Sequence, residues 1–148
     1  MKKKARSVLS QFSGKRLFSL FFSLFLTIHS CSEQPALECP DGLEPFHQVT
    51  LYFGLSSPDG TISASDWQSY LEDVVTPQFP EGFTVFDSYG QWKDPEDVII
   101  KEPGKVITHY YTIDDNKSEP INAVIEGFKE RHQAQSVIRE KNVICLSF

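Results

Sequence analysis

Apolar and polar residues alternate between His47 and Leu55, a period of two that predicts a strand with one buried face. The apolar side of this strand holds Val49, Leu51, Phe53 and Leu55. Thr50 and Tyr52 fall on the opposite side. We therefore expect the first side to contact helices and the second side to face away from them.

The spacing of apolar residues changes to that of a helix after a turn-forming segment at 57–60. Ser63 and Asp66 are three residues apart, an arrangement typical of a helix start that is capped by the serine side chain. The apolar residues that follow would share one side of the helix: Trp67, Tyr70, Leu71, Val74 and Val75. Because proline disfavours helical backbone in the residue before it, this helix is predicted to end near Pro77.

Two more strands, a second helix and a last strand are predicted in the rest of the chain. The two strands are 83–92 and 105–113, separated by a polar segment that contains a Pro-Gly pair, and residues 98–100 could extend this hairpin at either side of the segment. The helix begins at Ser118, and its apolar side holds Ile121, Val124, Ile125 and Phe128. The last strand, 142–148, would build the end of the chain into the sheet.

This order of elements predicts an α+β fold over residues 46–148. Strand, helix, strand, strand, helix, strand is the order of the ferredoxin-like, split βαβ plait. In that fold an antiparallel four-stranded sheet has the spatial order 4-1-3-2 and carries both helices on one face. The last strand then lies antiparallel to the first, so that the end of one is beside the beginning of the other.

The first thirty residues have the layout of an export signal. They hold six basic residues and no acidic one, and an apolar run of about twelve residues covers 17–28. A membrane-spanning helix needs about 20 apolar residues, which favours a cleaved signal peptide at 1–30 over a retained single-span anchor. The retained anchor stays the alternative.

Ile28-His29-Ser30-Cys31 resembles the bacterial lipobox, in which the cysteine becomes the lipid-carrying first residue of the mature protein. Several acyl chains on Cys31 would provide a stable membrane anchor. Ser32 follows, and the resemblance then favours the outer membrane, with the protein facing the periplasm. Residues 31–45 are polar and rich in proline, and they are predicted to form a tether.

The three cysteines fit this interpretation. If Cys31 carries lipid, Cys39 and Cys145 remain as one pair. Export would place that pair in an oxidising compartment, where a disulfide persists. The predicted fold independently brings Cys145 near the segment that bears Cys39. Two unpaired thiols are the alternative.

Charge argues against a nucleic-acid partner. A chain that starts at Cys31 has 8 basic and 20 acidic residues, a formal charge of −12. Such an acidic body repels phosphate backbones. The hydrophobic fraction of 40% and the aromatic fraction of 13% are ordinary for a globular domain, which excludes an intrinsically disordered chain.

Residues 46–148 contain a set of short motifs: Leu51-Tyr52-Phe53-Gly54-Leu55, Pro58-Asp59-Gly60, Trp67, Val75-Thr76-Pro77, Phe79-Pro80, Gly90-Gln91-Trp92, Glu102-Pro103 and Cys145-Leu146-Ser147-Phe148. Together they resemble a bacterial family catalogued as domain of unknown function 3574, whose members are small exported proteins, many with lipoprotein signals. The resemblance implies a family label but no activity, and no catalytic residue is carried over from it.

The predicted sheet leaves one face uncovered, and two tyrosines and two threonines would lie on it: Thr50, Tyr52, Thr108 and Tyr110. Hydroxyl groups on an apolar floor suit a small-ligand cleft or a homodimer interface. Symmetric pairing is the usual way to cover such a face, so the homodimer is the favoured interpretation. The ligand or protein partner itself is not identified by the sequence.

One group of residues could support acid-base chemistry: Asp87, Gln91, Lys105 and His109. Asp87 or His109 would serve as the base, and Lys105 would stabilise an anion. No cofactor-binding or metal-binding motif accompanies them, and we expect neither a cofactor nor a metal. The favoured interpretation is a lipid-anchored, non-enzymatic binding or interaction module, and a small plait enzyme is the alternative.

Overall fold

The computed structural model describes residues 37–58 and 60–148. Four long strands form one antiparallel sheet in this part of the chain. They are β1 (Glu44–Gly54), β4 (Thr84–Lys93), β5 (Ile99–Thr112) and β6 (Ile138–Leu146), and a short pair, β2 (Ser56–Ser57) and β3 (Gly60–Thr61), follows β1. Within the described ranges, no helix has the length and apolar character needed to cross a membrane.

The helices begin where the sequence predicts. The first is α1 (Ala64–Tyr70), continued by a π-helical turn (Leu71–Val75) and by α2 (Thr76–Gln78), and the second long helix is α3 (Ser118–His132). The backbone N–H of Asp66 donates to Ser63 Oγ at 3.1 Å, which confirms Ser63 as the cap. Pro77 follows the π-helical turn, at whose end the Thr76 N–H donates to the Leu71 carbonyl, and the helix ends at Gln78, close to the predicted end.

The strand order across the sheet is β4-β5-β1-β6, with every neighbouring pair antiparallel. If the four long strands are numbered 1 to 4 along the chain and the sheet is read from the β6 edge, the order is 4-1-3-2. The predicted ferredoxin-like α+β fold is therefore confirmed. Thr50 of β1 lies opposite Thr108 of β5 at the centre of the sheet. All the apolar residues predicted on the inner side of β1 are buried under the helices.

Aromatic rings fill the space between the sheet and the helices. Phe53 of β1 packs edge-on against Trp67, Tyr70 and Phe128, with ring centroids 5.4, 6.0 and 4.8 Å away. The Tyr70 hydroxyl donates to the Val124 carbonyl at 2.7 Å, so this fully buried side chain has no unpaired polar group. The interlocking rings fix both helices on one face of the sheet.

The third long strand is longer than predicted. β5 begins at Ile99, so that Pro103 and Gly104 lie within it instead of in a loop. The Pro103 carbonyl accepts from the Leu55 N–H at 3.0 Å and therefore points toward β1. The missing N–H of Pro103 points the same way, just beyond the last β1–β5 pair at Gly54, so proline costs no ladder hydrogen bond there.

The first and last strands also differ from their predicted bounds. β1 starts at Glu44 and β6 covers Ile138–Leu146, because the two strands pair continuously from Glu44 opposite Leu146 to Tyr52 opposite Ile138. The polar start of β6 concealed it, since an edge strand exposes much of its surface. Phe148 lies beyond the strand and is 97% exposed, so the prediction that the terminus is built into the sheet was wrong.

The predicted disulfide between Cys39 and Cys145 is present, with Cα atoms 5.5 Å apart. Cys145 lies in β6 opposite Pro45 of β1, and Cys39 lies six residues before Pro45. The bond therefore joins the segment that leads into the sheet to the end of the last strand.

Candidate functional site

One face of the sheet has no helix on it in the part of the chain that the structure describes, and we call it the open face. Register and alternation place the even-numbered residues of all four long strands there. The four residues predicted on this face, Thr50, Tyr52, Thr108 and Tyr110, do lie on it together. The two threonines are opposite one another and are buried by their larger neighbours, whereas Tyr52 is 38% exposed.

Three large side chains on the open face were not singled out from the sequence. Phe86 and Trp92 of β4 are 54% and 52% exposed, and Ile138 of β6 is 66% exposed. The alternation in β4 already placed Phe86 and Trp92 on one side of a strand. The pairing of all four strands is needed to show that this side carries no helix and that Ile138 of β6 lies on the same face.

Charge is divided between the two faces of the sheet. Every lysine and arginine of the long strands occupies an odd-numbered position on the helix side: Lys93, Lys101, Lys105, Arg139 and Lys141. Two of them contact residues on that side, since Arg139 donates to Asn122 of α3 and Lys141 lies over the Tyr111 ring. Among the strand residues that the structure describes, the open face carries carboxylates and no cation.

Glu140 is one of these carboxylates, and it belongs to a small hydrogen-bonded group. Its oxygens accept from Asn142 at 2.9 Å and from the Tyr52 hydroxyl at 3.0 Å. The hydrogen bond from Asn142 lowers the pKa of Glu140 most, and the bond from Tyr52 lowers it further. The same bond to Glu140 raises the pKa of Tyr52. Glu140 therefore stays ionised on an exposed apolar surface.

Glu102 is the second carboxylate, and it occupies space that glycine leaves empty. Its Oε1 accepts from the Ser56 N–H at 3.0 Å. A Cβ atom on Gly54 would lie 2.5 Å from the same oxygen, so a side chain at this position would displace the carboxylate from its contact with Ser56. Glu102 is half-buried between the exposed rings of β4 and the end of β1.

The structure does not assemble the predicted acid-base group. Asp87 and Lys105 are cross-strand partners that form an ion pair on the helix side of the sheet, where the Asp87 side chain is 87% exposed. Gln91 lies further along β4, opposite Lys101. His109 is four residues from Lys105 along the extended strand, about 13 Å. Asp87 and Lys105 thus neutralise one another away from the imidazole.

His109 is placed as a structural residue. It is fully buried, its ring lies flat on Phe79 with centroids 4.2 Å apart, and Nδ1 is 2.7 Å from the Gly82 carbonyl. Since a carbonyl only accepts, Nδ1 carries the hydrogen and donates. Nε2 has no hydrogen-bond partner among the residues described, and burial lowers the pKa of His109. This imidazole has no path to a substrate in solvent.

No group of three or more His, Cys, Asp or Glu residues is arranged to hold a metal ion in the described part of the chain. Neither Cys31 nor the predicted signal peptide can be assessed structurally, since both lie outside the described residues. The candidate site is therefore the open face, with its exposed rings and the carboxylates of Glu44, Glu102 and Glu140.

Comparison with known proteins gives a family and a fold. A family model described as protein of unknown function (DUF3574) matches residues 48–148. No functionally curated protein matches the sequence. A phage SAM lyase in complex with S-methyl-5'-thioadenosine is similar in structure, with a TM-score of 0.51 and 12% sequence identity over 76% of this chain and 95% of that chain.

Two further solved structures are less similar. CutA from Synechococcus elongatus has a TM-score of 0.42 and 10% identity over 70% of this chain and 81% of that chain. CPII bound to ADP and bicarbonate, from Thiomonas intermedia, has a TM-score of 0.41 and 13% identity over 70% of this chain and 90% of that chain. At these identities the similarity concerns the fold alone.

Proposed function

We propose that this chain, which belongs to the DUF3574 family of proteins of unknown function, is an exported, lipid-anchored module that acts by binding a protein partner on its open face. One observation carries the proposal. Phe86, Trp92 and Ile138 are each more than half exposed on the same side of one sheet, together with Tyr52. The register aligns Phe86, Tyr52 and Ile138 across the sheet, and Trp92 lies six residues further along β4. Exposed apolar side chains gathered on one face in this way mark an interaction site.

The charge on the open face specifies the chemistry of that partner. Glu102 and Glu140 lie among the exposed rings, whereas the strand cations are all on the helix side. A partner surface with aliphatic side chains and with lysine or arginine would pair with both features. A second copy of this chain would bring further carboxylates to the interface and no cation, which favours a different protein over a homodimer.

The positions of the two residues that could have served as a catalytic base also favour a binding role. Asp87 is held by Lys105, and His109 is sealed beneath the helices. An acid-base mechanism needs those groups to converge on one reacting atom. The enzyme alternative has no assembled site to rest on in the described residues.

The anchor and the cellular location rest on Cys31 and on the disulfide. A disulfide between Cys39 and Cys145 is consistent with an oxidising, exported environment. Lipid on Cys31, eight residues before Cys39, would tether the domain to a membrane surface. We propose the periplasmic side of the outer membrane as that surface.

Site-specific photo-crosslinking in exporting cells tests the interaction. A photoreactive amino acid replaces Trp92 on the open face or, as a control, the exposed Glu130 on α3. We expect adducts with another protein from position 92 and none from position 130. Replacing Glu102 and Glu140 with Gln should weaken those adducts, because the cationic partner loses its counter-charges.

Other results would change or remove the proposal. An adduct of twice the mass of the chain would show that a second copy covers the open face. Equal adducts from positions 92 and 130, or adducts that the two Glu→Gln changes leave unaltered, would contradict the proposed surface and its charge preference.

A further inference from the structure

A cavity of about 410 Å³ lies at one end of the sheet, where β1 and β4 begin and β5 ends. Its walls are mainly aromatic and consist of Phe46, Phe83, Tyr110, Tyr111 and Phe148. Phe46 and Phe148 meet edge to face with centroids 5.4 Å apart and together form one wall of the cavity. The volume is within the range of small-ligand sites, about 300 to 1,000 Å³.

Two carboxylate residues, Glu81 and Asp115, line the same cavity, and no lysine or arginine does. Lys117 donates to Glu81 Oε1 at 2.5 Å, and this hydrogen bond lowers the pKa of Glu81. The Glu81 charge is thus already balanced. Within residues 37–58 and 60–148, Asp115 has no ion-pair partner, so the cavity keeps one uncompensated negative charge.

Three contacts hold the cavity walls in place without a ligand. The Gly82 carbonyl is fixed by the buried imidazole of His109 at 2.7 Å. The Glu81–Lys117 ion pair ties the segment before β4 to the segment before α3. The Asp115 N–H donates to the Thr112 carbonyl at 3.2 Å, which closes the turn that carries the free carboxylate. The side of the site formed by Glu81, Gly82 and Asp115 is therefore preformed, whereas Phe148, which is 97% exposed, adds the outer wall through its contact with Phe46.

We propose that this cavity binds a small organic cation, an ammonium group with apolar substituents. The faces of aromatic rings attract cations, and a ring-walled site of this size suits a quaternary or alkylated ammonium. The Asp115 carboxylate supplies the counter-charge. An anionic ligand would meet two carboxylates instead, and a bare metal ion would find too few oxygen ligands. The cavity shares Tyr110 with the open face, but it does not include the exposed residues on which the proposed protein binding rests.

Titration of the full chain in a non-ionic detergent, with choline as the probe, tests the site. The control ligand is 3,3-dimethylbutan-1-ol, which has the shape of choline without its charge. We expect choline to bind about 2- to 30-fold more tightly than the alcohol, the range that corresponds to a cation–aromatic contribution of about 0.5 to 2 kcal/mol. Chemical shifts of the Tyr110 ring should move on binding.

Two neighbouring carboxylates provide matched variants. Asp115→Asn should weaken choline binding at least about fivefold, whereas Asp114→Asn, with the same change in net charge outside the cavity lining, should leave it unchanged. Tyr110→Leu should weaken binding, and Tyr110→Phe should preserve it. Equal affinity for choline and the alcohol, equal effects of the two Asp→Asn changes, or no saturable binding at millimolar choline would overturn the proposal.

Discussion

The ring of His109 stacks on the ring of Phe79 with an interplanar angle of 8°, completely shielded from solvent. One ring nitrogen, Nδ1, is used to hold the Gly82 carbonyl. The other, Nε2, has no partner among the described residues. A proton added to Nε2 would place a charge and an unsatisfied donor inside the core.

This arrangement predicts that stability falls in mild acid. Burial lowers the pKa of His109 in the folded state, so below the ordinary value of about 6.5 the unfolded chain binds a proton that the folded chain excludes. Stability is therefore fully present above about pH 6.5 and is lost as the pH falls toward the folded-state pKa. Burial also lowers the pKa of His47 and of His132, which adds to the loss.

Urea unfolding at about pH 7.5 and about pH 5.5, on either side of the ordinary imidazole value, measures this effect. His109→Gln removes the titrating group and keeps a donor for the Gly82 carbonyl. Its free energy of unfolding should change less between the two pH values than that of the parent, even if the variant is less stable at both. An unchanged pH dependence would show that His109 does not contribute.

Two glycines on the open face provide a second prediction. A Cβ atom on Gly104 would lie 2.9 Å from the Phe53 carbonyl oxygen and 2.7 Å from Ser88 Oγ, whereas the nearest atom to one on Gly90 is 3.9 Å away. Gly104→Ala should cost about 1 to 3 kcal/mol, because backbone must move to admit the methyl group. Gly90→Ala should stay within about 0.5 kcal/mol. Equal unfolding midpoints for the two variants would contradict this packing.

The sequence predicts most of the fold because period and capping are local signals. The alternation in β1, the helical spacing after Ser63 and the start of α3 were all found in this way. The beginning of β6 was missed because its residues are exposed at a sheet edge, where no apolar alternation is required. Residues 98–100 were recognised as a possible extension of the hairpin, but Pro103 concealed their continuity with β5, since its effect depends on where the neighbouring β1 ends.

The candidate site was only partly predictable, because it depends on pairing between distant segments. Alternation was sufficient to place Tyr52 and Tyr110 on the open face. The division of charge between the two faces requires the register of all four strands. Asp87 and His109 were grouped by their chemistry and by their places on the second and third predicted strands. The register pairs Asp87 with Lys105, four residues from His109 along β5.

The disulfide should contribute measurably to stability. Cys39 and Cys145 are separated by 106 positions, and a cross-link over so long a segment restricts the unfolded chain strongly. We expect the double change Cys39→Ala and Cys145→Ala to cost about 2 to 4 kcal/mol in urea unfolding. A reductant should lower the midpoint of the parent and leave that of the double variant unchanged. A parent that does not respond to reductant would show that the bond is absent or without effect.

The lipid anchor is tested at Cys31, which lies outside the described residues. With a lipid on Cys31, the parent chain should incorporate labelled palmitate and stay with membranes in a high-salt wash, because acyl chains are held by apolar burial rather than by charge. Cys31→Ser should lose the label and leave the membrane fraction. The Cys39→Ala and Cys145→Ala variant is the matched control, since it removes two cysteines and should keep both the label and the membrane association. If Cys31→Ser loses the label but stays with the membrane, the apolar run at 17–28 is the anchor instead, and the predicted cleavage is wrong.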